Sequence, residues 1–460
     1  MAIQAPEGTR DLLPQEALYW QAFQSMAADI FGRYGYLPID TPMFEQTDLF
    51  VRGIGEATDV VSKEMFSAIS GENLKTLLAG GHIKNKSRLS LRPEGTASVV
   101  RAVVQHSLVS PGGAPAKLMY AGPMFRAERP QKGRQRQFNQ VGIECLGSEA
   151  PSIDAEAIIM LMHFYEKLGL NKADLRLLIN SMGCEHCRPA YRELVRAYLL
   201  EHADELCEEC RQRAQTNPLR AFDCKKESCR VVMEKAPHIT DHLCPECQNH
   251  YAAVKELLDL AGIAYLEDYT LVRGLDYYTR TVFEVQVIEG MGSQNAIGGG
   301  GRYDKLMQEI GGPATPGFGF ALGYERCLLA LEAQGFTIPD IPAADFYIAC
   351  VDESVRKCAF ETLLVLRAAG FSGDMDHQIR SLKAQFKQAG KQGVDYVLVF
   401  GPDELARNAV TLRNMSAHTE ETLSLSALCT QAQICAEAQA GDNKIPVESF
   451  STFVGRLNSE

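Results

Sequence analysis

Four segments of the chain carry the residue types that phosphate and carboxylate chemistry requires. Phe125-Arg-Ala-Glu-Arg-Pro-Gln-Lys-Gly-Arg-Gln-Arg-Gln-Phe138 gathers Arg126, Arg129, Lys132, Arg134 and Arg136 in one short stretch. A solvated basic loop is the plain alternative, but Arg126 directly follows the apolar run Tyr120 to Phe125. An unpaired guanidinium is costly there, and a fixed phosphate relieves that cost through paired hydrogen bonds. Leu271-Val-Arg-Gly-Leu-Asp-Tyr-Tyr-Thr-Arg-Thr-Val-Phe-Glu284 sets Arg273, Tyr277 and Tyr278 just ahead of an alternating run that predicts a strand over Thr279 to Glu284. Gly298-Gly-Gly-Gly-Arg-Tyr-Asp-Lys-Leu306 permits close backbone approach to a ligand or a tight turn. Gly317-Phe-Gly-Phe-Ala-Leu-Gly323 predicts a glycine-rich strand that runs into a helix bearing Arg326.

Cysteine forms a second constellation. Eight of the fourteen fall in Cys184-x-x-Cys187, Cys207-x-x-Cys210, Cys224-x4-Cys229 and Cys244-x-x-Cys247. This is close to the spacing of four-thiolate zinc sites, and eight ligands would serve two ions. Which doublets pair is open, and His186, His202 or His250 could replace a thiolate. Eight buried, inert thiols are the alternative.

These groups need elements to hold them. Gln15 to Arg33 predicts a helix ended by Gly35 and Pro38, and Asp154 to Leu168 predicts another with Gly169 just past its end. Between them Lys117 to Ala121 and Phe138 to Cys145 predict strands, so the arginine segment is a long hairpin. Strands that follow one another directly favour an antiparallel sheet. Past a break at Gly335 to Pro342, strand and helix alternate as in a small α/β domain: strand Phe346 to Val351, a helix capped by Asp352 and running to Ala369, helix Ile379 to Ala389, and strand Tyr396 to Phe400. In that domain Arg380, Lys383, Lys387 and Lys391 recur at three- and four-residue steps, which is either a solvated helix face or a local basic stripe.

Composition bounds the rest. The chain has 460 residues, 46% apolar and 23% charged, with net charge −12, so any nucleic acid must meet local patches. There is no P-loop signature. Ala157 to Tyr165, the longest strongly apolar run, is too short to span a bilayer, and Met1 to Leu13 has no apolar leader. We therefore expect no membrane association and a cytoplasmic location.

Taken together and in order, the motifs resemble class II aminoacyl-tRNA synthetases, and among them the histidyl-tRNA synthetase family. The Arg126 hairpin is similar to the second class motif, Gly317 to Leu331 to the third, and Phe31 to Arg52, with Pro42, to the first, which builds a dimer interface in that family. Leu91-Arg-Pro-Glu-Gly-Thr-Ala97 resembles the amino-acid-binding loop, while Arg273 to Tyr278 and Gly299-Gly-Gly-Arg-Tyr-Asp304 resemble the two histidine-specific motifs. The resemblance implies activation of L-histidine by ATP with Mg2+ to histidyl-adenylate, then transfer to tRNA(His), by a homodimer. It further implies that Arg126, Arg273 and Arg326 are catalytic, with Arg126, Arg326 and Gly323 binding ATP and Arg273 contacting the α-phosphate opposite Arg126. Glu144 and Tyr278 would hold the imidazole, beside Tyr277, with Glu94, Thr96 and Gln140 near the α-amino group. Arg129, Lys132, Arg134 and Arg136 would approach the tRNA acceptor end, and Arg380, Lys383 and Lys387 the anticodon.

The expected architecture is α+β. A class II synthetase antiparallel-sheet catalytic core (1–180 and 263–335) carries a helical Cys-rich insertion (181–262), with Cys184, Cys187, Cys207, Cys210, Cys224, Cys229, Cys244 and Cys247 as ligands of structural Zn2+. A C-terminal α/β anticodon-binding domain (343–428) and a tail without assigned role (429–460) follow. The rival expectations are a non-catalytic histidine-binding regulatory subunit, which generally lacks the C-terminal domain and has eroded arginine motifs, and a zinc-dependent nucleic-acid-binding protein, which leaves the arginines idle.

Overall fold

The computed structural model describes residues 3–56, 58–110, 112–272, 275, 277–378, 380–441 and 449–457. The chain divides into two compact units, Met1–Pro339 and Asp340–Glu460.

The first unit is organised by an eight-stranded sheet of β1 (Leu37–Pro38), β2 (Ala116–Phe125), β3 (Gln137–Leu146), β4 (Leu175–Ser181), β5 (Leu266–Glu267), β6 (Thr279–Val287), β7 (Ala296–Arg302) and β8 (Gly317–Gly323). Their spatial order is β1-β2-β3-β8-β7-β6-β4-β5. Only the two-residue edge strands β1 and β5 pair parallel; the central pairings are all antiparallel. The expected antiparallel core is therefore present.

Side chains of a strand alternate between faces, and here the alternation separates packing from chemistry. Val141, Ile143 and Cys145 of β3, Phe318, Phe320 and Leu322 of β8, and Phe283 and Val285 of β6 all enter one core. Helices Pro14–Arg33 and Pro151–Leu168 cover that face with Phe23, Ala27, Ile30, Phe31, Ile158, Leu161 and Tyr165. Each begins with proline, which is tolerated in the first turn, and the second ends on Gly169 at φ 101°, a left-handed cap suited to glycine. The intervening residues Gln140, Gly142 and Glu144 of β3 and Gly319, Ala321 and Gly323 of β8 are left for the opposite face.

Between β4 and β5 the chain forms helices Arg188–Glu201, Glu208–Thr216, Glu227–Met233 and Pro245–Leu260. Tyr191, Val195, Leu199, Ala214, Val232 and Met233 bury with Leu178 of β4 and with Tyr278 and Tyr303. Helix Pro245–Leu260 also joins the main core through Tyr251, Val254 and Leu258.

The second unit has a five-stranded sheet in the order Gly373–Met375, Phe346–Cys350, Tyr396–Phe400, Ala409–Asn414, Thr419–Ser424. The first three are parallel and the last two antiparallel. Helices Arg356–Ala368, Leu425–Gly441 and Phe450–Leu457 cover one face, and helix Leu382–Gln392 covers the other with Ala389 against Tyr347, Ala349 and Val397. That last helix starts later than the sequence suggests, because Arg380 is held outside it by Asp376, through its backbone N–H at 2.8 Å and its guanidinium; Ile379 lies outside the described residues. Residues beyond 428 are integral to this unit: Phe450, Phe453 and Val454 are buried against Phe346 and Phe371.

Candidate active site

The face of the sheet left free by the hydrophobic core floors a cleft of about 210 Å³. Its lining brings together residues that are remote in sequence: Glu94 and Thr96 at the start of helix Thr96–His106, Arg126 and Arg134 of the hairpin, Gln140 of β3, Tyr277 and Tyr278 ahead of β6, Gly323 at the end of β8 and Arg326 in the helix Tyr324–Ala333 that follows it. Arg273, with Gly274 and Asp276, lies outside the described residues.

One end of the cleft is cationic. Arg126 extends past the end of β2, donates from Nε to the carbonyl of Pro93 at 2.9 Å, and stacks on Phe138 with 5.4 Å to the ring centroid. Arg326 is held by the carbonyls of Gly133 (3.0 Å) and Ala296 (2.9 Å) and by Gln294 Oε1 (2.9 Å), so it bridges the hairpin tip and the start of β7. Burial, and then the charges of Arg134 and Arg126, lower its guanidinium from the ordinary value. Arg134 and Arg126 both disfavour the charge on Arg326, and a bound anion would relieve that. Arg134 is partly neutralised by Glu128, 2.6 Å away.

The other end is tyrosine-rich and acidic. Glu94 accepts the backbone N–H of Thr96 at 2.7 Å and of Ala97 at 2.9 Å, which fixes its carboxylate in the first turn of the helix. Glu144 is fully buried beneath β8. Burial raises its carboxyl to about 8, although hydrogen-bonding groups around it, Thr96 and Tyr303 foremost, pull the other way. Its Oε2 accepts from the hydroxyl of Tyr303, while Oε1 has no hydrogen-bond partner among the described residues. A buried polar atom left without a partner is expensive, so Oε1 is a candidate contact for a polar group of a ligand. The space for it depends on Gly319: a Cβ there would stand 1.9 Å from Glu144 Oε2. Gln140 Oε1 and the Tyr120 hydroxyl are likewise buried without partners among the described residues.

Sequence reasoning missed Tyr303 and Tyr120 as members of this site, although Tyr303 stood inside a motif already singled out. It also left Arg302 without a role. Arg302 is fully buried and ion-paired with Asp154; its Nη1 donates to the carbonyl of Ser148 at 2.9 Å and to Asp304 at 3.2 Å, and Asp154 also meets His250 Nε2 at 2.8 Å. It locks β7 to helices Pro151–Leu168 and Pro245–Leu260, so it positions the neighbouring Tyr303.

The basic residues expected to meet nucleic acid fall into three groups. Arg129 and Lys132 are exposed at the hairpin. Arg136 is engaged with the carbonyls of Glu128 and Glu7 at 3.2 Å, pinning the N-terminal segment. Lys383, Lys387 and Lys391 are exposed along one face of helix Leu382–Gln392, whereas Arg380 is tied to Asp376 before that helix begins.

The eight cysteines converge as two quartets, Cys184, Cys187, Cys244, Cys247 and Cys207, Cys210, Cys224, Cys229, each with its sulfurs within 4.8 Å of one another. The histidines considered as substitutes are elsewhere engaged or exposed: His250 on Asp154, His202 on the carbonyl of Tyr198 at 2.9 Å, and His186 in solvent.

Comparison with known proteins bears on both units. A family model described as histidyl-tRNA synthetase matches residues 8–327, and one described as anticodon binding domain matches residues 345–433. The chain is 46% identical to a histidine–tRNA ligase of Moorella thermoacetica over 428 residues, which is 93% of this chain and 97% of that one. It is 46% identical to a histidine–tRNA ligase of Desulforamulus reducens over 423 residues, covering 92% and 97%. The crystal structure of apo histidyl-tRNA synthetase from S. aureus is similar at TM-score 0.76 and 36% identity, covering 94% of this chain and all of that one.

Proposed function

The chain belongs to the histidyl-tRNA synthetase family, and from that premise we propose which of its residues carry out each step. Its activity is ATP-dependent activation of histidine followed by transfer to tRNA; the regulatory-subunit alternative is not favoured. Activation is in-line attack of the histidine carboxylate on the α-phosphate of ATP, two anions that must be brought together and whose developing charge must be met by cations.

Arg126 and Arg326 bind the triphosphate, Arg126 at the α-phosphate and Arg326 toward the γ-phosphate, with Gly323 beside the nucleotide. Arg273 would meet the α-phosphate from the opposite side. Class II synthetases use ATP with Mg2+, and Glu284 in the cleft wall, which accepts from Gln286 at 2.7 Å, is an oxygen donor suited to a hydrated divalent ion. Glu144 Oε1 receives an imidazole N–H of histidine, with Tyr278 and Tyr277 alongside, while Glu94, Thr96 and Gln140 surround the α-amino group. A site built to pair a ring N–H rejects amino acids lacking one, since its own buried oxygen would stay unsatisfied.

The observation that carries this assignment is one cleft that brings Glu94, Thr96, Gln140, Tyr277 and Tyr278 together with Arg126 and Arg326, with the buried Glu144 Oε1, unpartnered among the described residues, packed behind its Gly319 wall. Calorimetric titration tests it: Glu144→Gln should weaken histidine while sparing ATP, and Arg326→Ala should do the reverse. Equal loss of both ligands in both variants would sink it.

Other features fit the same reading. A homodimer would cover Leu37, Met43 and Phe44, which are 67%, 52% and 53% exposed within the segment similar to the first class motif. Arg129 and Lys132 would approach the tRNA acceptor end, and Lys383, Lys387 and Lys391 the anticodon. The domains would divide as 1–180 with 263–335, 181–262, and 343 onward, and the cysteine quartets would hold structural zinc, apart from the reaction. Among the described residues no helix is long and apolar enough to cross a membrane, and a cytoplasmic location is the reading consistent with tRNA as substrate.

A further inference from the structure

We propose that the eight cysteines form two independent tetrathiolate zinc sites with nested pairing: a base site of Cys184, Cys187, Cys244 and Cys247 that clasps the two ends of the helical segment together, and a distal site of Cys207, Cys210, Cys224 and Cys229 that staples its interior. The inference rests on the zinc reading above and adds the partition and the task of each ion.

Sulfur geometry is the first argument. In the base quartet Cys184 Sγ lies 3.6 Å from Cys187 and 3.7 Å from Cys244, and Cys187 lies 3.8 Å from Cys247. In the distal quartet Cys207 and Cys224 are 4.0 Å apart. A tetrahedron with Zn–S of ~2.3 Å has edges of about 3.8 Å, whereas a disulfide needs ~2.05 Å. Four sulfurs all within 4.8 Å of one another, several of them near tetrahedral edge length, suit one ion, and the reaction has no redox step that would call for iron.

Four of the eight sulfurs have backbone donors that suit thiolates. Backbone N–H groups point at sulfur: Cys184 N to Cys187 Sγ at 3.1 Å, His186 N to Cys184 Sγ at 3.4 Å, Cys207 N to Cys229 Sγ at 3.3 Å, and Cys210 N to Cys207 Sγ at 3.5 Å. Such donors stabilise negative sulfur and orient it, as outer-shell groups do at metal sites. Gly183, at φ +63°, brings the backbone so close that a Cβ would stand 2.8 Å from Cys187 Sγ.

The two quartets have different structural reach. The base site joins the exit of β4 to the first turn of helix Pro245–Leu260, sixty residues later in the chain. Both halves are also tied to Arg280 of β6: Met182 N donates to the Arg280 carbonyl at 2.6 Å, Arg280 N donates to the Gly183 carbonyl at 2.9 Å, and the Arg280 guanidinium meets Glu246 at 2.5 Å. The distal site involves only residues within 207–229.

Metal analysis by mass spectrometry on anaerobically purified, full-length protein tests the partition. The wild type should carry two zinc ions per chain, Cys184→Ser one, Cys207→Ser one, and the double variant none. To keep the test independent of how each variant folds, the unaltered chain reloaded with cadmium gives a second readout: two sets of tetrathiolate resonances. Limited proteolysis should open Cys207→Ser within 207–229 alone and Cys184→Ser at both ends of the segment. Zinc lost together in either single variant, or cadmium signals of mixed ligation, would overturn the nested pairing while leaving zinc itself standing. Iron, or less than one metal per chain, would overturn both. Failure of the synthetase assignment would show instead as absent histidine-dependent activation in metal-replete protein.

Discussion

Glu144 is the residue we propose to select histidine, and its burial has a thermodynamic consequence apart from substrate. A carboxyl raised to about 8 in the folded protein, from an ordinary value of 4.5, binds its proton more tightly folded than unfolded. Its contribution to stability is therefore full below the unfolded value and lost as pH rises through about 8. Melting curves at pH 5, 7 and 9 should show the ligand-free wild type losing ground to Glu144→Gln as pH rises; parallel pH profiles would contradict the assignment. Arg302 makes the complementary point. Arg302→Ala strands the buried charge of Asp154 and should cost about 3–5 kcal/mol in urea unfolding, well beyond the effect of an exposed change such as Lys387→Ala. The arginines and Glu144 were legible in sequence because motif order marked them. Tyr303, Tyr120 and the role of Arg302 were not, because partnership across β3, β7 and helix Pro151–Leu168 is a property of sheet register.

At the scale of elements, strand alternation does the sorting: the same strands that bury Val141, Ile143, Phe318 and Phe320 turn Gln140, Gly319, Ala321 and Gly323 toward the cleft. Hairpin, strands and flanking helices were readable from apolar periodicity and from proline and glycine punctuation. The cysteine pairing was not, since spacing leaves open which doublets meet, whereas the fold brings the first together with the last. The start of helix Leu382–Gln392 was misjudged because the hydrogen bonds from Arg380 to Asp376 are invisible to periodicity. The C-terminal helix was unreadable as part of a core, yet Phe453 is fully buried. Phe453→Ala should destabilise the second unit by about 3–5 kcal/mol, seen as an earlier transition in calorimetry, while histidine-dependent pyrophosphate exchange is kept. Reversing Lys383, Lys387 and Lys391 to Glu should weaken tRNA binding and its salt dependence, again without loss of exchange; unchanged tRNA affinity would leave that face a solvated one.

For the whole molecule, the basic patches proposed above would reconcile a net charge of −12 with a tRNA substrate, and exposed Leu37, Met43 and Phe44 would be the hydrophobic surface of the proposed homodimer. Phe44→Glu should shift sedimentation toward monomer; an unchanged mass would remove that segment from the interface. The central claim is that one cleft selects histidine and joins it to ATP. Amino-acid-dependent ATP–pyrophosphate exchange, run with each of the twenty amino acids on the wild type and on Arg126→Ala, tests it most directly. The account predicts exchange with histidine alone, falling by at least a hundredfold in the variant, in line with loss of a transition-state charge contact. No exchange with histidine despite measurable histidine binding, or exchange undiminished in Arg126→Ala, would contradict it.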